Sequence, residues 1–254
     1  MLYNVKYLNI GGGNSCHREA GWSNLDYAFE HYKSKRDYTR VDIQHNLMSG
    51  EPLPIKDSSV EAVYTEHTME HITDDKVLIV FKEVKRILRP RGVFRVAIPD
   101  SDKMLADLKD PNMTDQAVFD YWLVHGQNNT KEKCLLDLTC SHLLDRITKE
   151  ELWDIINKSA TPEEIYEEMY RIVKTYVDFT PEFQSQYPAY HISWWNYNKM
   201  KKYLKLAGFR MVSDPLAYHE TEYDFFKAKF IDRTKIDYTT RVEAVKTEKP
   251  PKSV

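Results

Sequence analysis

The chain has 254 residues, of which 42% are hydrophobic and 30% charged, enough to bury one large core. Its net charge is −3 with acidic and basic residues well mixed, so it lacks the basic excess of typical nucleic-acid-binding proteins. Three cysteines, Cys16, Cys134 and Cys140, form no CxxC pair, which argues against a disulfide framework and favours a reducing compartment. Without a leader pattern or a stretch of membrane-spanning length, we expect a cytoplasmic protein with no membrane partner.

The first predicted element is a buried strand within the apolar run 5–10, followed directly by Gly11, Gly12 and Gly13. Three glycines after a strand indicate a tight turn, and because glycine has no Cβ, a ligand can approach this backbone closely. If a helix follows, its N-terminal N–H groups also favour an anionic or carboxylate group. An ordinary glycine turn without a ligand explains the same residues.

Two further strands are predicted around residues 23–27 and 40–43. The first ends at Asp26, and an acidic residue at the end of a second strand can accept hydrogen bonds from both hydroxyls of a ribose. The interval of 15 residues from Gly11 to Asp26 is shorter than the usual spacing of about 20 in dinucleotide-binding folds, so the helix between them must be short or degenerate. The second strand leads into Asn46 and Leu47.

A fourth strand is predicted around residues 62–65, and apolar residues at helical spacing up to residue 88 predict a helix that begins at Thr73. The sequence Pro-Arg-Gly at 90–92 is expected to end this helix, and GVFRVAIP, residues 92–99, is predicted as a fifth strand. The alternation of strands and helix predicts a parallel sheet flanked by helices.

Residues 101–190 change in character and are predicted to be helical, with segments around 114–125, 131–145, 148–158 and 161–178. Two of these segments begin with capping boxes, Thr148 with Glu151 and Thr161 with Glu164. We name residues 101–190 the helical cap. It is predicted as an insertion after strand five of a single domain spanning 1–254, because no flexible linker isolates it. A helix at 197–206 and strands in FRMVSDP and YTTRVEAVK are expected to complete the fold.

Six segments of the chain resemble, in the same order, the class I S-adenosylmethionine (SAM)-dependent methyltransferases of the methyltransferase-11-like group. They are LNIGGGN, GWSNLD, HNLMSGEPLPIKDSSVEAVYTEHTMEHI, EVKRILRPRGVFRVAIPD, LKLAGF and VEAVK. They cover most of residues 5–100 and 196–247, but not the helical cap. The resemblance implies an α/β fold with a Rossmann-like, seven-stranded, mostly parallel sheet whose last strand is antiparallel. It also implies that SAM, released as S-adenosyl-L-homocysteine, lies across the carboxyl ends of the strands.

The resemblance further implies which positions of this chain hold the cofactor. These are Gly11, Gly12 and Gly13 beneath the methionine moiety with Asn14 beside them, Asp26 at the ribose, Asn46 and Leu47 at the adenine, and Thr65, Glu66 and His67 after strand four. The family commonly has an aspartate where this chain has Asn46, so the adenine amino group is expected to bind through the amide oxygen. It more often has cysteine or a similar small residue at position 12, where glycine should be tolerated.

SAM already carries an activated methyl group, so such an enzyme mainly aligns the acceptor and supplies a base if the nucleophile is protonated. Glu66, His67 and His191 are the predicted catalytic residues, while a structural role is favoured for Glu70 and His71. Several aromatic residues could either line an acceptor pocket or pack in the core. They are Trp122, Tyr187, Tyr190, Trp194, Trp195 and Tyr197. No metal site is expected, because EHTMEH lacks the HEXXH order and no third ligand is evident.

The predicted function is SAM-dependent methyl transfer to a small-molecule or glycan acceptor, with a hydroxyl group preferred because similar proteins often accompany sugar and surface-glycan pathways. One alternative is a catalytically inactive SAM-binding partner or scaffold protein. Another is a nicotinamide-dependent enzyme, against which the absence of GxGxxG and the early Asp26 argue. The charge balance makes a nucleic-acid partner unlikely. The helical cap is expected to act as a lid over the acceptor, or else as the interface of a homodimer.

Overall fold

The computed structural model of the protein describes residues 2–13, 21–27, 41–115, 130–228, 231–232 and 238–247. Some predicted features lie outside these residues. They are Asn14, Cys16, Trp122, the start of the predicted third strand at Arg40, and most of the helix predicted at 114–125.

The described residues contain a seven-stranded sheet in the order β3-β2-β1-β4-β5-β7-β6. Its strands are β1 Tyr7–Ile10, β2 Trp22–Asp26, β3 Ile43–Gln44, β4 Val60–Glu66, β5 Leu88–Pro99, β6 Met211–Val212 and β7 Thr239–Val245. Strand β7 runs antiparallel to both β5 and β6. The other neighbouring pairs, β3 with β2, β2 with β1, β1 with β4 and β4 with β5, are parallel. The predicted Rossmann-like α/β fold class with an antiparallel last strand is therefore confirmed.

Seven α-helices are present in the described residues, which we number in chain order. They are α1 Asp74–Ile87, α2 Ser101–Lys109, α3 Lys131–Thr139, α4 Lys149–Lys158, α5 Pro162–Val173, α6 Pro181–Gln186 and α7 Tyr197–Leu206. Helix α1 begins after Thr73, as predicted, and Gly208, with a φ of +93°, follows α7. None of the helices in the described part of the chain has the length and apolar character needed to cross a membrane.

The Pro-Arg-Gly sequence at 90–92 was expected to separate helix from strand, and this expectation is wrong. Strand β5 already begins at Leu88, directly after α1. The Pro-Arg-Gly sequence is accommodated by a shift in the register between β5 and β4, which occurs between Val60 and Ala62. Arg91 takes a φ of +64° in this stretch. A bulge of this kind lets a turn-forming sequence remain within an extended strand.

The helical cap follows its local sequence signals where these are strong. The Thr148 hydroxyl accepts a hydrogen bond from the N–H of Glu151, whose carboxylate accepts one from the N–H of Thr148. The helix predicted at 131–145 instead ends at Thr139, because Cys140 is extended. The helix predicted at 161–178 ends at Val173, and helices α2 and α6 were not predicted.

The described residues form three apolar cores, and the two larger ones belong to the sheet with its flanking helices and to the helical cap. The sheet core packs α1 and α7 against the strands through residues such as Leu8, Phe81 and Leu204. The second core joins the helices of the helical cap and includes Leu135 and Tyr166. Because each buried Leu or Tyr side chain stabilises the fold by about 1.5–3 kcal/mol, both cores hold their own side of the pocket in place.

Candidate functional site

A pocket opens at the carboxyl ends of β1, β2 and β3, where open α/β sheets place their ligands. It is lined by Gly11, Leu25, Asp26, Tyr27, His45, Asn46, Leu47, Met48, His67, Thr68, His71, Ile72, Gln184 and Pro188. Most of these residues follow strands of the sheet, and the last two come from the helical cap. The pocket is therefore a space shared by both parts of the molecule.

The glycine turn contributes main chain to this pocket through Gly11. Gly11 has a φ of +72° and Gly13 a φ of +53°, which glycine adopts at little cost. The N–H of Gly11 donates to the carbonyl of Leu25 at 2.8 Å, which holds the turn against β2. A Cβ built on Gly11 would lie 2.2 Å from Oγ1 of Thr68, so a side chain at this position has no room.

Gly12 occupies a tighter place than the resemblance implies. A Cβ at this position would lie 2.0 Å from Nδ2 of Asn9 and 2.5 Å from Oδ1 of Asn24. Both asparagines are buried, at 3% and 0% exposed, so neither can move aside easily. The cysteine that is common in the family would clash here, and glycine is required rather than merely tolerated.

Asp26 lies at the end of β2 and lines the pocket, as its sequence position predicts. Its Oδ2 accepts a hydrogen bond from the N–H of Gly13 at 2.7 Å, and its Oδ1 accepts one from the N–H of Tyr27 at 2.7 Å. An ionised carboxylate has about four acceptor sites, so Asp26 can anchor the glycine turn and still accept from hydroxyl groups in the pocket.

Asn46 and Leu47 form the next wall of the pocket, at the start of a 3₁₀ turn that covers Leu47–Ser49. The amide oxygen of Asn46 accepts a hydrogen bond from the N–H of Met48 at 3.0 Å. This bond orients the side chain, and the same oxygen retains one lone pair for a further donor. Met48, next to it, is buried and also lines the pocket.

Four described residues of the predicted cofactor set do not line this pocket: Gly12, Gly13, Thr65 and Glu66. Thr65 is fully buried within β4. Glu66 is the last residue of β4 and faces the same side of the sheet as Tyr64. Burial is the largest cause of the raised pKa of Tyr64, and the negative charge of Glu66 is the second largest. Their roles in cofactor binding and, for Glu66, in catalysis stay predictions.

His67 lines the pocket and directly follows β4 with a φ of +48°, a conformation that non-glycine residues adopt only under structural constraint. Its Nε2 lies 2.9 Å from Oγ1 of Thr239, and its Nδ1 lies 3.4 Å from Oε1 of Glu70. Both ring nitrogens thus have polar neighbours that fix the orientation of the imidazole.

Glu70 is buried beside three imidazoles, with 1% of its surface exposed. Its Oε1 lies 3.8 Å from Nε2 of His71 and 3.9 Å from Nε2 of His191. Burial alone would raise the pKa of Glu70, but the nearby His67, His71 and His191 outweigh burial and lower it. Burial is the main cause of the lowered pKa of His71. At neutral pH the cluster therefore holds a carboxylate and a neutral His71.

The structure places His191 behind the pocket, in contact with His71 at a ring-centroid distance of 5.0 Å. It is 6% exposed and does not line the pocket. Trp195 is buried in the sheet core and Trp194 in the core of the helical cap, while Tyr187 and Tyr190 pack against His142. None of the predicted aromatic residues that the structure describes lines the pocket.

Sequence reasoning missed Gln184 and Pro188, through which the helical cap reaches the pocket. Gln184 is 2% exposed, and its Oε1 has no hydrogen-bond partner among the described residues. No local motif marks either residue. His45 and Thr68 were also missed, although both follow strands in the same way as Asn46 and His67.

The sheet order and the pocket at the strand ends define a Rossmann-like α/β fold. Residues 19–96 match the model of the methyltransferase-11 family, described as a methyltransferase domain. This match runs from the approach to β2 into β5 and thus includes the walls formed by Asp26, Asn46 and His67. The family match and the fold together confirm the resemblance to class I SAM-dependent methyltransferases.

Solved structures of SAM-dependent methyltransferases are similar to this chain at low sequence identity. One from Mesorhizobium loti is 12% identical, with a TM-score of 0.46 over 96% of this chain and 92% of that chain. One from Thermotoga maritima is 14% identical, with a TM-score of 0.43 over 97% of this chain and 84% of that chain. A phosphoethanolamine N-methyltransferase of Haemonchus contortus, solved with S-adenosylhomocysteine, is 13% identical, with a TM-score of 0.40 over 98% of this chain and 50% of that chain. A search of curated proteins finds none that matches this chain.

Proposed function

We propose that this protein is an enzyme that transfers the methyl group of SAM to a hydroxyl group of a small-molecule or glycan acceptor. The observation that carries the proposal is the shared pocket, which has strand-end residues on one side, residues of the helical cap on the other, and His67 in its wall. A cofactor and an acceptor that occupy the two sides would meet beside this imidazole.

The residues on the sheet side fit a SAM molecule. Gly11 offers main chain that a Cβ would obstruct, Asp26 has acceptor capacity for the ribose hydroxyls, and the amide oxygen of Asn46 can accept from the adenine amino group. When bound, SAM supplies the activated methyl group. The protein then has to hold the acceptor in line and keep water away.

His67 is the base in this proposal. Its Nδ1 faces the carboxylate of Glu70, which favours the tautomer with a proton on Nδ1 and a lone pair on Nε2. The hydroxyl of Thr239 lies at hydrogen-bond distance from that Nε2. The acceptor hydroxyl would replace Thr239 as the donor to Nε2 and pass its proton there as the methyl group is transferred.

The helical cap serves as the acceptor side in this proposal. Pro188 supplies an apolar surface, and Gln184 supplies a buried polar group that a hydroxyl of the acceptor can satisfy. The predicted cytoplasmic location is kept, since Cys134 and Cys140 are free thiols buried in the cap core.

Calorimetry with SAM and with NAD tests the cofactor assignment. We expect SAM to bind and NAD not to bind. Asp26→Ala should weaken SAM binding by about 1.5–3 kcal/mol, or roughly ten- to a hundredfold in Kd, because a charge-assisted acceptor is lost. Asp42→Ala is the matched control, since Asp42 accepts from the N–H of Asn24 and does not line the pocket. An effect in the control but none in Asp26→Ala would place the ribose elsewhere.

Release of S-adenosylhomocysteine in the presence of candidate acceptors tests the activity itself. Sugars, glycosides and small alcohols form the first panel, and amines form the comparison panel. Turnover with a hydroxyl acceptor supports the proposal. Tight SAM binding with no turnover on any panel would instead favour a SAM-binding partner or scaffold protein.

A further inference from the structure

A buried cluster of metal-ligand side chains lies beside the pocket and belongs to two distant parts of the chain. It consists of Glu70, His71 and His191, whose potential ligand atoms all lie within 4.8 Å of one another. Glu70 and His71 belong to the 3₁₀ turn Met69–His71 that follows β4, and His191 lies at the end of the helical cap, before α7. We name these three residues the Glu-His-His cluster.

The carboxylate of Glu70 lacks the donors that a buried charge requires. It is 1% exposed, and among the described residues neither Oε1 nor Oε2 has a hydrogen-bond partner at normal distance. The nearest nitrogen, Nδ1 of His67, lies 3.4 Å from Oε1, which is longer than a normal hydrogen bond of this type. Because a buried, poorly satisfied carboxylate is costly, the arrangement calls for a positively charged partner at this position.

His71 is oriented as a metal ligand. Its Nδ1–H donates to the carbonyl of Tyr190 at 3.0 Å, so the lone pair of the neutral ring is on Nε2. This Nε2 lies on the side of Glu70, 3.8 Å from Oε1. Histidines that bind metals characteristically donate their other ring N–H to a carbonyl or carboxylate, which fixes the tautomer in this way.

The backbone holds His191 against this pair. The carbonyl of Glu70 accepts hydrogen bonds from the N–H groups of Ile192 at 2.8 Å and Ser193 at 3.2 Å. The N–H of His191 donates to Oγ of Ser141 at 2.9 Å. The cluster is therefore organised by main-chain contacts from both sides before any ligand is considered.

We infer that the Glu-His-His cluster binds one divalent transition-metal ion. Two imidazoles with one carboxylate suit Zn²⁺, Co²⁺ or Fe²⁺ rather than Mg²⁺ or Ca²⁺, which prefer oxygen ligands. In a tetrahedral site with bonds of about 2.1 Å, ligand atoms are about 3.4 Å apart. The two nitrogens lie 3.8 and 3.9 Å from Oε1 of Glu70, and all the ligand atoms lie within 4.8 Å of one another, so the side chains must rotate inward to bind an ion. His71 also lines the pocket, which gives the ion a route of entry.

Three protein ligands leave a coordination position open, as in catalytic rather than structural metal sites. Of the three ligands, His71 lines the pocket, so an acceptor in the pocket could reach an ion bound at the cluster. If the proposed methyl transfer is correct, the ion would hold an oxygen atom of the acceptor and favour its ionisation. The acceptor class that fits a single open position is then one with an oxygen nucleophile, in line with the proposed hydroxyl acceptor.

The metal site is tested without measuring activity. Metal-free protein is titrated with Co²⁺ and followed by visible absorption, and with Zn²⁺ by calorimetry. We expect one ion per chain and an absorption change that reports nitrogen and oxygen ligands. Removing one ligand, in His71→Ala, His191→Ala or Glu70→Gln, should weaken binding at least about 100-fold. His45→Ala, which alters the same pocket outside the cluster, and His142→Ala, which alters a half-buried histidine of the cap, are matched controls and should bind normally.

Absence of stoichiometric binding, or equal binding in wild type, His71→Ala and His191→Ala, would overturn the site, and the cluster would then be an internal hydrogen-bonded group. Equal loss in the two controls would also overturn it. Circular dichroism identifies any variant that fails to fold, and the remaining ligand variants still decide. SAM calorimetry on the same samples separates the two proposals. Metal binding without SAM binding would contradict the proposed function alone, and SAM binding without metal binding would contradict the metal site alone.

Discussion

The sheet and the helical cap meet at one pocket but contribute to it by different means. The sheet side is built from residues that directly follow strands, such as Gly11, Asp26 and Asn46, and much of it is main chain. Among the described residues, the cap side consists of two buried side chains, Gln184 and Pro188, and the cap has an apolar core of its own. Backbone at strand ends is fixed by the fold, whereas side chains from an insertion can change without altering the sheet. The comparison therefore suggests a constant cofactor side and an adaptable acceptor side.

The largest effect is expected where the two sides meet, at His67. Replacing His67 with Ala should lower kcat by about 10²–10⁴-fold, because the base in the proposed reaction is lost, while the Kd of SAM changes little. His142→Ala is the control, since His142 is a half-buried histidine of the helical cap that does not line the pocket. An unchanged kcat in the His67 variant would show that the acceptor needs no base from this residue.

A side chain at Gly11 should damage the sheet side alone. Gly11→Val introduces a clash with Thr68, in addition to the strain of a φ of +72°, and should weaken SAM binding by roughly 100-fold or more, which corresponds to about 3 kcal/mol. Gly21→Val is the matched control, because Gly21 has a similar φ of +79° but, within the described part of the chain, its Cβ would meet the ring of Tyr7 at an ordinary 3.6 Å. If both variants bind SAM equally well, the glycine turn does not contact the cofactor.

Gln184 offers the corresponding test of the cap side. Gln184→Leu keeps the approximate volume but removes the polar group, and we expect KM for the acceptor to rise by roughly tenfold, in line with one lost hydrogen bond of about 1.4 kcal/mol. The Kd of SAM should remain within about twofold of the wild-type value. A larger effect on SAM than on the acceptor would contradict the division between the two sides.

The smallest effect is expected at the capping box of α4, far from the pocket. Thr148→Ala removes the hydroxyl that accepts from the N–H of Glu151 and should lower the free energy of unfolding by about 1 kcal/mol. Urea unfolding measures this change, with Thr175→Ala as a control because the Thr175 hydroxyl donates within an exposed turn after α5. A change in SAM affinity in Thr148→Ala would mean that the stability of the cap and cofactor binding are coupled.

Much of the sheet could be predicted from sequence because its signals are local. Apolar runs bounded by glycine or polar residues predicted the strands, and helical periodicity after Thr73 predicted α1. The start of β5 at Leu88 could not be predicted, since a Pro-Arg-Gly sequence remains extended only when a neighbouring strand absorbs a register shift. Helix α2 also escaped prediction, although the side chain of Asp100 accepts from the N–H of Asp102 in the manner of an N-cap.

The pocket residues likewise fall into those that local sequence signals predict and those that depend on the tertiary fold. Residues that directly follow strands, such as Asp26 and His67, were predicted to line the site because parallel strands end at one edge of the sheet. Gln184 and the contact between Glu70 and His191 depend on how the helical cap folds back onto the sheet. No spacing rule connects residues so far apart in the chain, so the third candidate metal ligand could not be seen in the sequence.

The most direct test of the central claim is a crystal structure of the protein with S-adenosylhomocysteine bound. The account predicts that the ligand lies against the main chain of Gly11, with its ribose hydroxyls on Asp26 and its adenine beside Asn46 and Leu47. Its sulfur atom should face His67, with space left between that atom and Gln184 for the acceptor. A ligand bound against the helical cap, or one without contact to Gly11 and Asp26, would contradict the assignment of the sheet side to the cofactor.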